Sequence, residues 1–257
     1  MKVIILAGGK GTRLGRRTSY IPKPMLLLGK KPILWHIMKI YSYYGYNDFI
    51  ICLGYLGNTI KNYFYFYDIL NKDFTLDMKN NNVTFYNIDE KMDWKVTLVN
   101  TGVNASKSSR IKQIKRYLDS DINMLTYGDG LADINIQKLL KFHKSQGKIL
   151  TITGVHPPSR FGEIFEKDNK LMIFSEKPQT SASLINGGFM VFQNEMLDYL
   201  GDNENYDFEQ GPLVKMVDDN NVAVYKHLGS WDCVDNERDY QYLNKLLKED
   251  RAFWKIW

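Results

Sequence analysis

The first 25 residues combine a glycine-rich loop, an arginine and a proline-flanked lysine, all directly behind the apolar segment "VIILA". Glycines lack side chains, so backbone N–H groups in such a loop can approach an anion closely. The glycines are Gly8, Gly9 and Gly11. Arg13 can grip phosphate oxygens with two parallel donors, and Lys23 lies between two prolines that restrict the backbone around it. This combination favours a site for a phosphate-bearing ligand.

The loop does not match the two most familiar nucleotide-binding patterns. "GGKGTR" is not the GxxxxGK[ST] phosphate loop, and no Gly-x-Gly-x-x-Gly follows the first apolar run, which weakens a dinucleotide interpretation. The glycines alone could also mark an ordinary tight turn between a strand and a helix. The arginine and the Pro-Lys-Pro segment together favour phosphate binding over that alternative.

Asp129 is a candidate metal ligand. It stands in "TYGDG", where a predicted strand ends between two glycines, so its carboxylate should face the crevice at the carboxyl end of that strand. A "DG" pair is also common in ordinary turns. Mg²⁺ prefers oxygen ligands, and one or two carboxylates suffice because the ion keeps several waters.

A regular framework must position these residues, and short apolar runs alternate with helix-like stretches through the first two thirds of the chain. The predicted strands cover 2–7, 48–55, 94–102, 123–130 and 149–155, and the predicted helices cover 31–45, 58–70, 108–118 and 133–147. Gly45 and Gly147 fit helix ends. This alternation predicts an α/β fold with a doubly wound, mostly parallel, Rossmann-like sheet and helices on both of its faces.

Beyond residue 155 the pattern changes to hairpin-like pieces at 161–178, 185–193 and 222–235, and a last helix is predicted at 236–250. We expect these pieces to add mixed strands over the active site. Because no linker-like stretch interrupts the chain, we expect a single domain over residues 1–257.

Composition limits the classes of function. The net charge of +5 is dispersed, and only 107–116 approaches a basic stripe, so we expect no nucleic-acid partner. No window approaches the roughly 18 apolar residues of a membrane span, and the N-terminus does not resemble a signal peptide. Cys52 and Cys233 lie far apart and match neither a disulfide framework nor a metal spacing. We therefore expect reduced thiols and a cytoplasmic protein.

The motif L-A-G-G-x-G-T-R-L followed by P-K-P-M resembles the signature of the sugar-1-phosphate nucleotidylyltransferases. The resemblance runs nearly end to end, through "KPILWHIMKIYS", "DFIICLGYLG", "WKVTLVNTG", "TYGDGLADINI", "PPSRFGEI", "EKP", "INGGFMVF" and "FWKIW". It implies an enzyme that joins a nucleoside triphosphate to a sugar 1-phosphate and releases pyrophosphate. Within this family the chain most resembles the members that use CTP and glucose 1-phosphate, which are its expected partners.

The resemblance implies roles for the charged residues. Arg13 would hold the β- and γ-phosphates, Lys23 would reach the α-phosphate, and Asp129 would hold Mg²⁺, so these three are the expected catalytic residues. The second metal ligand would be Asp235, whose spacing to the following Arg-Asp pair matches the family, and Asp232 is the alternative.

The resemblance also implies two groups of binding residues. Those expected to bind the nucleotide are Leu6, Ala7, Gly8, Gly9, Gly11, Thr12, Arg13, Lys23, Thr101, Gly102, Arg110 and Gly128. Those expected to bind the sugar phosphate are Glu176, Lys177, Asn186 and Gly187, with Lys177 at the phosphate. Residues 1–155 would then form the nucleotide-binding core, 156–235 the sugar-phosphate-binding portion, and 236–257 the C-terminal helix and tail.

Some positions depart from the family pattern and leave the exact sugar open. Ser108 and Ser109 stand where relatives tend to carry glycines, and Gly15, Arg16 and Arg17 stand where relatives carry acidic residues. The alternatives are another sugar 1-phosphate, dTTP or UTP as the nucleotide, or a non-catalytic nucleotide-sugar sensor. The oligomers of the family imply a homo-oligomer, and the terminal "FWKIW" would pack either on its own domain or on a neighbouring subunit.

Overall fold

The computed structural model describes residues 1–86, 92–157, 163–167, 170–175, 184–201 and 207–257. Its strands, numbered in chain order, are β1 Val3–Ala7, β2 Leu27–Leu28, β3 Lys31–Pro32, β4 Asp48–Leu53, β5 Phe74–Asp77, β6 Asn82–Phe85, β7 Lys95–Asn100, β8 Ile122–Tyr127, β9 Gly130–Ala132, β10 Leu150–Val155, β11 Glu163–Lys167, β12 Lys170–Ser175, β13 Ile185–Gln193, β14 Val222–His227 and β15 Trp231–Cys233. The α-helices are α1 Ile33–Tyr43, α2 Gly57–Tyr65, α3 Tyr67–Asn71, α4 Lys107–Gln113, α5 Ile136–Gln146, α6 Pro212–Asp218 and α7 Glu237–Lys248.

Seven strands form the central sheet in the order β14–β10–β13–β8–β1–β4–β7. Neighbouring strands are parallel except at β13, which runs antiparallel to both β8 and β10. The predicted mostly parallel α/β sheet is therefore confirmed. The chain builds outward from β1 to β4 and β7 on one side and then places β8 on the other side of β1. This reversal creates a crevice at the carboxyl ends of β1 and β8, where open α/β sheets bind ligands.

The central strand β1 is buried on both of its faces because helices cover both sides of the sheet. Val3 and Ile5 belong to a core cluster that includes residues of α1, α5 and α7. Ile4 points the other way, into a second cluster with residues of α4 and α6. Alternation of side chains along a strand sends successive residues to opposite faces. A continuous apolar run is thus what a strand between two helix layers requires.

Several predicted elements end earlier or pair differently than expected. The helix predicted over 58–70 is interrupted at Phe66 and forms the two helices α2 and α3. The hairpin of β5 and β6 was not predicted at all. The strands β13 and β14, expected above the site, instead lie within the central sheet, and β14 does not form a hairpin with β15.

The C-terminal tail packs on the helix α1 of its own chain. Trp254 is fully buried, and its indole N–H donates to Nδ1 of His36 at 3.3 Å. The other ring nitrogen of His36 lies 3.0 Å from the carbonyl oxygen of Leu28, so it carries the proton and donates. The tail therefore stabilises the fold from which it emerges.

Two further expectations concern cysteines and membranes. Cys52 is buried, Cys233 is half-buried, and both are free thiols. Within the described residues, every helix is too short or too polar to cross a bilayer.

Candidate active site

A cavity of about 590 Å³ opens at the carboxyl ends of β1 and β8. Twelve of the residues predicted from the sequence line it: Leu6, Ala7, Gly8, Gly9, Gly11, Thr12, Arg13, Lys23, Arg110, Gly128, Asp129 and Asp235. Residues from the first loop and from position 235 thus share one hollow, although they are more than 200 positions apart in the chain.

The loop after β1 is shaped by Gly11 and by two 3₁₀ segments that follow it. Gly11 has φ +62°, a conformation that favours glycine, and a Cβ there would come within 3.1 Å of Cβ of Lys23. The 3₁₀ segment Thr12–Ser19 follows directly, with Arg13 at its second position. Lys23 begins another 3₁₀ turn, preceded by Pro22 in extended conformation. These two turns bring Arg13 and Lys23 to the same wall of the cavity.

Charged side chains form a continuous chain of ion pairs across the cavity. Nζ of Lys23 donates to Oδ2 of Asp129 at 2.6 Å and to Oδ1 of Asp235 at 3.1 Å. Arg13 donates to the other oxygen of Asp235. Burial alone would lower the pKa of Lys23. The negative charges of Asp129 and Asp235, and the hydrogen bonds that they accept, raise this pKa above its ordinary value, so the side chain remains an ammonium.

The structure brings Asp235, and not Asp232, to the lysine that contacts Asp129. Asp235 precedes α7, whose N-terminal capping box pairs Asn236 with Asp239. The carboxylate of Asp239 also accepts the backbone N–H of Asp235 at 3.1 Å. Asp232 is buried within β15, and its carboxylate accepts the backbone N–H of Cys233.

The two carboxylates of Asp129 and Asp235 suit Mg²⁺. Both contact the same lysine ammonium, so the two carboxylates lie close to each other on one side of the cavity. Mg²⁺ is commonly held by one or two carboxylates together with waters and substrate phosphates, so this donor set is sufficient.

Arg110 lines the cavity but is used mainly to fix the surrounding loops. It is 4% exposed, and its guanidinium donates to five protein acceptors: the carbonyls of Gly8, Leu53, Gly102 and Val103 and the hydroxyl of Thr101. Thr101 and Gly102, predicted to bind the nucleotide directly, thus contact this arginine and do not line the cavity. A Cβ on Gly8 would lie 2.1 Å from Nη1 of Arg110, which explains the glycine.

A second charged cluster on the cavity wall was not predicted from the sequence. Nζ of Lys107 lies 2.9 Å from Asp207 and 2.5 Å from Glu209, and the hydroxyl of Tyr127 donates to Glu209 at 2.5 Å. Burial and the negative charge of Glu209 raise the pKa of Tyr127, so its hydroxyl keeps the proton it donates. Position 107 begins the basic stretch 107–116, but no local spacing links it to positions 207 and 209.

The residues expected at the sugar phosphate divide into two groups. Asn186 and Gly187 lie on β13 beside the cavity: Nδ2 of Asn186 donates to the hydroxyl of Tyr127 at 3.4 Å, and the carbonyl of Gly187 accepts the indole N–H of Trp231 at 2.8 Å. Glu176 and Lys177 lie outside the described residues.

Comparison with known proteins identifies the class. The model of the Nucleotidyl transferase family matches residues 2–249. The chain belongs to this family, which confirms the resemblance seen in its glycine-rich and Pro-Lys-Pro motifs.

Two individual relatives are similar to this chain over its full length. A Bacillus subtilis (strain 168) protein described as "Probable glucose-1-phosphate cytidylyltransferase" is 43% identical over 257 residues, spanning all of both chains. The "Glucose-1-phosphate cytidylyltransferase" of Salmonella typhimurium is 42% identical over 258 residues, again over the full length of both.

Solved structures support the fold. A UDP-glucose pyrophosphorylase complexed with UDP-glucose aligns with a TM-score of 0.69 and 17% identity, covering 97% of this chain and 99% of that one. HddC from Yersinia pseudotuberculosis complexed with GMP-PN aligns with a TM-score of 0.67 and 20% identity, covering 96% and 99%. At these identities the likeness concerns the fold alone.

Proposed function

We propose that this protein transfers the cytidylyl group of CTP to α-D-glucose 1-phosphate, giving CDP-glucose and pyrophosphate. One observation carries the proposal: Arg13, Lys23, Asp129 and Asp235 meet in a single cavity at the switch point of the sheet. The choice of CTP and glucose 1-phosphate is supported by full-length relatives at 42–43% identity that carry this activity in their names.

In the proposed reaction an oxygen of the sugar phosphate attacks the α-phosphorus of CTP. The bond from that phosphorus to the bridging oxygen of the β-phosphate breaks, and pyrophosphate leaves on the opposite side. Both reactants are anions, so catalysis consists mainly of positioning and of stabilising charge. Lys23 would stabilise the charge that accumulates at the α-phosphate, and Arg13 would hold the departing β- and γ-phosphates.

Backbone and carboxylate groups complete the proposed nucleotide site. The N–H groups of the loop at Gly8, Gly9 and Gly11 would face the phosphates and the base. Asp129 and Asp235 would hold Mg²⁺, which supplies positive charge to the phosphates when it is bound. Lys23 contacts both carboxylates in the structure, so it would move from them to the α-phosphate when Mg²⁺ and the nucleotide bind.

We assign the sugar phosphate to Glu176, Lys177, Asn186 and Gly187. Lys177 would neutralise the phosphate, Glu176 and Asn186 would bind sugar hydroxyls, and Gly187 would bind through its backbone. We also propose that the protein works in the cytoplasm, where nucleotides and sugar phosphates are available, and that residues 1–257 act as one domain.

The test is pyrophosphate release from a panel of nucleotides and sugar 1-phosphates with Mg²⁺. CTP, UTP and dTTP are each combined with glucose, galactose and mannose 1-phosphates, and Asp129→Ala serves as the control for contaminating activity. We expect the highest kcat/KM for CTP with glucose 1-phosphate. A higher value for another pair would replace the substrates and keep the reaction. CTP binding without turnover of any pair would favour a nucleotide-sugar sensor and contradict the proposal.

A further inference from the structure

The cluster of Lys107, Asp207, Glu209 and Tyr127 forms a second ionic wall of the cavity, away from the ion pairs of Lys23. Lys107, Asp207 and Tyr127 line the cavity directly. The cluster contains two carboxylates and one ammonium, so it is negative overall. A negative wall disfavours phosphate and suits hydroxyl groups, which can donate to carboxylate oxygens.

Asp207 is held rigidly in position to accept such hydrogen bonds. Its Oδ1 accepts the backbone N–H groups of Lys107 at 3.2 Å and Phe208 at 3.1 Å, and its Oδ2 lies 2.9 Å from Nζ of Lys107. The adjacent Phe208 is fully buried, which anchors the turn before α6. Each carboxylate oxygen has two acceptor sites, so Asp207 keeps capacity for a ligand while its geometry is fixed by the protein.

The order of strands indicates which part of the ligand lies beside this cluster. The proposed sugar residue Asn186 is on β13, and the loop beyond β7, which holds the expected nucleotide-binding residues Thr101 and Gly102, lies on the other side of β1. The cluster joins the end of β8, through Tyr127, to the start of α4, through Lys107. It therefore lies between the proposed sugar residue and the loop expected to bind the nucleotide. In a nucleotide-sugar both the ribose and the phosphates lie between the base and the sugar. The negative cluster disfavours the phosphates, which leaves the ribose with its two neighbouring hydroxyls.

We propose that Asp207 is the ribose-binding residue of this protein and selects ribonucleotides over deoxyribonucleotides by accepting hydrogen bonds from the ribose hydroxyls. The proposal rests on the proposed function, because it takes the ligand of the cavity to be CTP. It adds a specificity-determining residue that lies far in the sequence from the glycine-rich loop.

The test measures dissociation constants by calorimetry for CTP, 2′-deoxy-CTP and 3′-deoxy-CTP in the presence of Mg²⁺, with no sugar phosphate present. The wild-type protein should bind CTP about tenfold or more tightly than at least one deoxy analogue, because a hydrogen bond to a charged group is lost. In Asp207→Ala this ratio should fall to about twofold or less, since the hydroxyl then has no carboxylate partner. Asp207→Asn keeps the shape of the side chain and should give an intermediate ratio.

Asp218→Ala is the matched control, because Asp218 is an exposed carboxylate at the end of α6; its ratio should equal that of the wild type. Equal binding of all three nucleotides by the wild type would overturn the proposal. The proposal would also be overturned if the ratio of the dissociation constants for the deoxy analogue and CTP were the same in both Asp207 variants as in the wild type. Because binding is measured without turnover, the result stays separate from the panel of substrates: tight CTP binding with no pyrophosphate release would contradict the proposed function and leave this assignment standing.

Discussion

Among single residues, Lys23 is central because it has two sets of partners. In the free chain it contacts the carboxylates of Asp129 and Asp235, and in the reacting complex we propose that it contacts the α-phosphate. The side chain is mostly buried and remains charged. In the reacting complex Lys23 would place a largely desolvated positive charge beside the α-phosphate, where such a charge stabilises a transition state strongly.

We therefore expect Lys23→Ala to lower kcat by about 10²- to 10³-fold while changing the dissociation constant for CTP much less. Steady-state kinetics together with direct CTP binding would separate the two quantities. Lys30→Ala, which removes an exposed lysine seven positions away, is the control and should behave as the wild type. An unchanged kcat in Lys23→Ala would remove this residue from the chemical step.

Neighbouring glycines in the first loop should differ sharply in their tolerance of a side chain. A Cβ on Gly8 would collide with the buried guanidinium of Arg110, whereas a Cβ on Gly9 meets no atom within 4 Å. We expect Gly8→Ala to lower the free energy of unfolding by about 2 kcal/mol or more, as overpacking of a rigid site does, and Gly9→Ala to change it by less than about 0.5 kcal/mol. Urea denaturation checks both values. Equal losses of unfolding free energy in the two variants would show that the side chain of Arg110 moves aside at little cost.

At the scale of elements, the C-terminal tail and α1 share a buried histidine that should make stability depend on pH. Burial lowers the pKa of His36 from its ordinary 6.5 to about 4, and the nearby charges of Lys255 and Lys31 act in the same direction. In the unfolded chain His36 becomes protonated as the pH falls below about 6.5, whereas in the folded chain it becomes protonated only near pH 4. The stabilising contribution is therefore fully present above pH 6.5 and is lost as the pH falls towards 4.

We expect this histidine to remove about 3 kcal/mol from the free energy of unfolding between pH 7 and pH 4. Urea denaturation at several pH values gives the free energy of unfolding of the wild type and of His36→Gln. The contribution of the histidine is the difference between the two slopes of that free energy against pH, because the glutamine does not titrate. His143, whose pKa is also lowered by burial, contributes to both proteins equally. Parallel pH profiles for the two proteins would contradict the assignment.

The elements that the sequence predicted well are those with a local signal. Buried strands such as β1 and β4 are apolar runs bounded by polar residues, and α5 ends at Gly147 in the left-handed conformation expected of a C-terminal glycine. The break at Phe66 and the membership of β13 in the central sheet have no such signal, because they depend on contacts between distant segments. The hairpin of β5 and β6 was missed because its turn is rich in Asp, Lys and Asn and its strands are only four residues long.

The residues of the candidate site likewise divide into those with a local signal in the sequence and those that only the fold brings together. Arg13, Lys23 and Asp129 stand in motifs whose spacing is visible in the sequence, and the structure brings them to one cavity. The pairing of Lys107 with Asp207 joins residues 100 positions apart, and a single sequence carries no sign of it. The role of Arg110 in holding loops was hidden for the same reason, since its acceptors are mostly backbone carbonyls.

At the scale of the whole molecule, the hairpin of β5 and β6 leaves an apolar surface open to water. Phe74 and Leu76 lie opposite Phe85 and Val83 on one face, and Phe74, Leu76 and Val83 are 42%, 44% and 43% exposed. Alternation of apolar and polar residues is typical of a strand with one covered face, and an isolated hairpin is only marginally stable in water. From these features we propose that the protein is a homo-oligomer in which a second copy of the chain covers this face.

We expect the wild-type protein to sediment as an oligomer and Val83→Lys to sediment as a smaller species, because a buried lysine on an apolar face is unfavourable. Thr84→Lys places the same charge on the opposite face of the hairpin and should leave the assembly unchanged. Sedimentation velocity distinguishes these outcomes. A monomeric wild type, or an assembly that tolerates Val83→Lys as well as Thr84→Lys, would contradict the proposed interface.

The most direct test of the proposed active site is the initial rate of pyrophosphate release from CTP and glucose 1-phosphate, measured with and without Mg²⁺ for the wild type, Asp129→Asn and Asp235→Asn. We expect rapid, Mg²⁺-dependent release by the wild type and a loss of about 10²-fold or more in each variant, with both variants still folded by circular dichroism. Release that persists in both variants, or that does not require a divalent cation, would contradict the claim that these two carboxylates and the facing cations bring the two anions together.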